Sequence, residues 1–113
     1  MIAFAGQFER GPQELIPNRE EVLEIMARLT EGKEREVLRE AHDAAGLYLL
    51  EIKVAGDKIG DSIHYEYRRK GTYPEMSSAE TAVSMEFYEG DKWIGGRNLT
   101  EFNPETGEWK AMW

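Results

Sequence analysis

The stretch Thr30-Glu-Gly-Lys-Glu-Arg-Glu-Val-Leu-Arg-Glu-Ala-His-Asp-Ala-Ala-Gly46 decides how the chain is read, because it joins a helical pattern to a run of strand patterns. Val37, Leu38, Ala41, Ala44 and Ala45 continue one apolar face at helical spacing. Glu31 and Arg35 form an i,i+4 pair in the better orientation, and Gly46 is a natural stop just past the end. Thr30 can cap this segment. The spacing therefore predicts a helix over 31–45. Gly32 weakens one unbroken rod, so whether 19–45 holds one helix or two stays open at Thr30–Gly32.

Upstream, Asn18 is a good N-cap with Glu21 at the N3 position, the arrangement of a capping box. Val22, Ile25, Met26 and Leu29 follow at three-to-four spacing, and Glu24 to Arg28 is a second favourable pair, which predicts a helix over 19–29. Before it, Ile2, Phe4 and Phe8 share one parity and Ala3, Ala5, Gln7 and Glu9 the other, the pattern of a short strand weakened by Gly6. Gly11-Pro12 then breaks the chain.

After Gly46 the period changes from 3.6 to 2. Tyr48, Leu50, Ile52 and Val54 share one face of a strand while Glu51 and Lys53 face away. Gly56-Asp57 and Gly60-Asp61 are competing turns, after which Ile63, Tyr65 and Tyr67 alternate with His64, Glu66 and Arg68. Gly71 to Ser78 reads as a loop. Thr81, Val83, Met85 and Phe87 form the inner face of a third strand, Gly90-Asp91 is a hairpin turn, and a strand runs from Lys92 to Phe102. Asn103 to Gly107 is a turn, and Glu108 to Trp113 returns as the last strand. The expectation is α+β: two N-terminal helices packed on an antiparallel meander of four to six strands, in a single domain over 1–113. Its core is Ile25, Met26, Leu29 and Leu38 against Leu50, Ile52, Val83, Met85 and Phe87.

Composition narrows function by exclusion. The chain has 113 residues, 14 basic and 22 acidic, for a net charge of −8, and no cysteine. Thiolate metal sites, disulfides and cysteine nucleophiles are excluded. Nucleic acids and anionic membranes are disfavoured as partners, since both require clustered positive charge. No apolar run approaches the roughly 20 residues needed to span a bilayer, and the N-terminus lacks a basic start and long apolar stretch, so a cytoplasmic location is expected. No phosphate-binding glycine loop, HExxH or GxSxG pattern occurs, and no resemblance to a known family is specific enough to carry residues over.

Three local clusters have structural readings. His64 and Glu66 share a strand face with the spacing of an acid–base or metal pair, but only His42, followed by Asp43, remains to add a second imidazole; a charge-paired strand face is favoured. Gly95-Gly96 reads as a bulge or bend ahead of a ligand approach, and Arg68-Arg69-Lys70 as a blunted strand end. No catalytic residue, cofactor or metal is assigned.

The functional expectation is a small acidic, non-catalytic binding module acting on another protein (an inhibitor, immunity-type or regulatory protein), its partner basic and its oligomeric state open. The face is placed on the 81–102 hairpin, with Glu89 opposite Lys92, Tyr88 opposite Trp93, Phe87 opposite Ile94 and Ser84 opposite Arg97. That register turns Tyr88, Trp93, Arg97 and Glu86 outward, residue types of binding hot spots, whereas a bulge at Gly95-Gly96 would turn Arg97 inward. The alternative is a small-molecule-binding protein or enzyme whose pocket, between helices and sheet, is lined by Tyr48, Tyr65, Tyr67, Phe87 and Trp109.

Overall fold

The cap at Asn18 starts α1 (Arg19–Leu29), an 11-residue helix. Glu21 N–H donates to Asn18 Oδ1 at 2.8 Å and Asn18 N–H to Glu21 Oε1 at 3.4 Å, completing the capping box. Asn18→Ala is expected to cost about 0.5–2 kcal/mol, read as a lower midpoint in urea unfolding. At the other end, the Thr30 hydroxyl donates to Met26 O at 2.8 Å, so Thr30 closes this helix rather than opening another. Gly32, at φ 75°, then takes the chain out of the helical path.

The computed structural model describes residues 15–71 and 80–111. The strand expected over 2–9 and nearly all of the loop expected over 71–78 lie outside them. The described strands are β1 (Glu36–Asp43), β2 (Gly46–Ala55), β3 (Ser62–Arg68), β4 (Ala82–Glu89), β5 (Lys92–Asn103) and β6 (Glu108–Ala111). They form one sheet in the order β1-β2-β3-β4-β5-β6, every neighbouring pair antiparallel. No helix among the described residues is long and apolar enough to cross a membrane.

The expected second helix is therefore corrected. Residues 36–43 form a strand, and the described residues make a six-stranded antiparallel sheet with one short helix, not two helices on a sheet. The physical reason lies in what each conformation satisfies. As a helix, 31–45 would bury mostly alanine methyl groups, which contribute little apolar area. As a strand it pairs the outer edge of β2, from Glu36↔Lys53 to Asp43↔Gly46, and saturates backbone groups otherwise left open. It also carries Arg39 across to Glu51, at 2.7 Å, and Glu66, at 3.0 Å. The connection is an Asx turn in which Asp43 Oδ1 accepts from Ala45 N–H at 2.8 Å and Gly46 N–H at 3.1 Å. Leu38, expected in the core, is 37% exposed, at a break in the β1–β2 register between Val37 and Arg39.

α1 packs on β2 and β3. Val22 and Met26 are fully buried with Leu50, Ile52, Val54, Ile63, Tyr65, Tyr67, Val83 and Leu99, while Ile25, Leu29, Met85, Phe87 and Trp109 pack against this cluster partly covered. The opposite parity of β2, β3 and β4 carries Glu51, His64, Glu66, Arg68, Ser84, Glu86 and Tyr88 to the face away from the helix. The sheet thus separates an apolar, helix-covered face from a polar one.

Candidate functional site

The polar face is a linked network rather than a spread of solvated charges. Glu51, 7% exposed, stands in the middle of a mostly apolar strand and accepts from two neighbours: Arg39 Nε at 2.7 Å and His64 Nδ1 at 2.7 Å. An ionised carboxylate only accepts, so the nitrogen that donates in this contact is Nδ1. Arg39 Nη2 also reaches Glu66 Oε2 at 3.0 Å. On the other side of Glu66 lies Arg68, 8% exposed, with Nη1 3.5 Å from Glu66 Oε1 and 3.2 Å from Ser84 Oγ. Arg68 Nη2 donates to Asn98 Oδ1 at 3.4 Å, and Asn98 Nδ2 in turn to Glu101 Oε2 at 3.0 Å. Burying charges is tolerable only when they are paired in this way.

Burial lifts the Glu66 carboxyl above its ordinary 4.5, and Glu51 and Glu86 add to the rise while Arg68 and Arg39 oppose it. A carboxyl whose folded value exceeds its unfolded one stabilises the fold fully below pH 4.5, and that stabilisation is lost as pH climbs through the raised folded value. Glu66→Gln is expected to flatten this part of the profile. Thermal midpoints measured from mildly acidic to neutral pH should fall less steeply for the variant; parallel curves would contradict the assignment.

The aromatic end of the same face lies on the β4–β5 hairpin. Tyr88 stacks on His64 with ring centroids 4.0 Å apart and planes 22° from parallel. Burial, followed by the neighbouring carboxylates, raises the Tyr88 hydroxyl above its ordinary value. Trp93 stands opposite Tyr88, as the hairpin turn predicts, and donates from Nε1 to Glu86 Oε1 at 2.7 Å. Trp93 is 56% exposed. Asp61 ties this end to the β2–β3 loop, taking Gly90 N–H at 3.0 Å on its carboxylate and giving its own N–H to Tyr88 O at 2.9 Å.

Beyond Trp93 the expected register is corrected. Phe87 pairs with Gly95 rather than Ile94, and Ser84 with Asn98 rather than Arg97, because a register break falls between the Tyr88↔Trp93 and Phe87↔Gly95 pairs and leaves Ile94 bulged and 40% exposed. Arg97 consequently pairs with Met85, on the helix side, and does not join Tyr88, Trp93 and Glu86. Gly96 stands opposite Glu86, and a Cβ there would overlap the Glu86 carboxylate and approach Met85 O to 2.8 Å. The glycine leaves the strip of space across which Glu86 reaches the indole.

The rings of the alternative pocket are divided. Tyr65 and Tyr67 fill the core, Trp109 lies 5.2 Å from Phe102 and 6.5 Å from Tyr67, and Phe87 packs against the same cluster. Burial pushes the Tyr67 hydroxyl up to about 12. Tyr48 lies apart, its ring 5.6 Å from the Arg69 guanidinium, beside a cleft of about 380 Å³ that His42, Asp43 and Lys70 also line. Arg69 is paired there with Asp43, whose carboxyl that bond holds below its ordinary range. So the Arg68-Arg69-Lys70 run is split: Arg68 enters the network on the polar face and Arg69 the ion pair at this end of the sheet. Among the described residues no group of three or more acidic or histidine side chains has the geometry to hold a metal ion.

The sequence places His64, Glu66 and Arg68 on one strand face and turns Glu86, Tyr88 and Trp93 outward, but it does not join Arg39, Glu51 and Arg68 into one network. Glu51 had a signal, a lone acid between the apolar residues Leu47–Leu50 and Ile52. Arg39 had none while 36–43 was read as helical. No family model matches this chain, and no curated protein or solved structure matches it.

Proposed function

We propose that the chain is a non-catalytic binding module that docks a protein partner through the Tyr88–Trp93–Glu86 end of its polar face. The observation that carries the reading is the state of Trp93: a residue more than half exposed, yet with its indole held by the Nε1 bond to Glu86 and by its place opposite Tyr88, itself stacked on His64. A large aromatic side chain held in place before binding loses little entropy on docking, and such rings are the residues on which binding energy concentrates. The network behind it supplies a rigid wall. The net charge of −8 favours a basic partner and fast encounter at low salt.

The test compares the immobilised wild-type chain with Trp93→Ala in capture from native lysate, with the thermal midpoint of each recorded. The expected result is a partner retained by the wild type and lost by a variant that stays folded. Equal capture by both would reject the docking face, and a large fall in midpoint with capture intact would assign the ring to the hairpin alone.

A further inference from the structure

The register break that sends Arg97 to the helix side leaves the aromatic pair beside Glu86, a carboxylate that joins no ion pair among the described residues. Among the described residues the ion pairs of this face join Arg39 to Glu51 and Glu66, His64 to Glu51 and Arg68 to Glu66; none includes Glu86. His64 stands opposite Glu86 in the register but turns its Nδ1 to Glu51. Glu86 instead lies across Gly96 and accepts the indole N–H, which places a carboxylate at the edge of an exposed indole. An indole face attracts cations through its ring quadrupole, and a flat guanidinium laid on it can also donate to a carboxylate at the ring's edge.

We propose that Trp93 and Glu86 together recognise one arginine or lysine side chain of the partner. The cation occupies the indole face, its N–H donors reach the Glu86 carboxylate, and the alkyl stem packs toward Tyr88. This rests on the docking reading above and specifies the chemistry that the docking face selects. Gly96 is part of the site, because any side chain there displaces Glu86.

The experiment titrates two short blocked peptides, identical except for a central arginine or its neutral isostere citrulline, into the isotope-labelled full chain while the Trp93 indole N–H resonance is followed. The arginine peptide is expected to shift that resonance saturably and to bind roughly tenfold more tightly than the citrulline peptide. Added salt should weaken the arginine peptide selectively. Glu86→Gln, which retains an oxygen for the indole N–H, is expected to remove the discrimination while the chain stays folded; Gly96→Ala should do the same by displacing the carboxylate. Equal binding of the two peptides, no saturable shift with either, or undiminished discrimination in Glu86→Gln would each overturn the proposal. If peptides fail to discriminate while Trp93→Ala still abolishes capture, the face docks its partner without a cation. If capture survives Trp93→Ala, the docking reading itself falls.

Discussion

Leu50→Ala is expected to lower stability by about 2–5 kcal/mol. Leu50 is 1% exposed, stands between Glu40 on β1 and Tyr67 on β3, and belongs to the cluster that includes Val22 and Met26 of α1. Truncation removes its apolar transfer energy and leaves a void that hydrogen-bonded backbone on both sides cannot close, so the loss belongs in the upper part of that range. For a small domain this is a large share of the total, which is on the order of 5–15 kcal/mol. Denaturant unfolding should show a lower midpoint with a similar slope. A midpoint equal to that of the wild type would contradict the placement of Leu50 between helix and sheet.

Arg68→Met is expected to cost about 3 kcal/mol at neutral pH, the lower end of the range for breaking a buried pair, because its contacts of 3.2–3.5 Å are long. The substitution keeps most of the stem's apolar volume and removes the charge. Ser84 Oγ, on a fully buried residue, loses its donor, and Glu66 loses one of the two cations that hold its carboxyl down. The Glu66 carboxyl then rises further, so the variant should be penalised more at neutral than at acidic pH. Adding Glu66→Gln to Arg68→Met should recover part of the loss, and the double-mutant cycle isolates the coupling. Strict additivity, or a loss independent of pH, would show that the two side chains do not act on each other.

Much of this was legible along the chain because it is local. The capping box at Asn18 and Glu21 depends on residues three apart, and it forms as read. Period-2 alternation placed Leu50, Ile52 and Val54 on one side and Glu51 on the other, since successive side chains of a strand must point oppositely. The turn at Gly90-Asp91 set the Tyr88–Trp93 pair for the same reason.

The segment 31–45 shows where local reading stops. Its helical spacing is present in the residues, and only the open edge of β2 and the buried Glu51 carboxylate override it. Those belong to residues that come later in the chain. A bulge at Ile94, which local turn chemistry does not specify, sent Arg97 to the helix side and left Glu86 beside the indole. The sequence by itself determined the helix start, the alternation of the strands and the acidic charge, because each follows from neighbours a few residues apart. Only the tertiary structure decided the identity of β1 and the membership of the polar network, because unpaired backbone and buried charge are satisfied by partners that sequence proximity does not bring together.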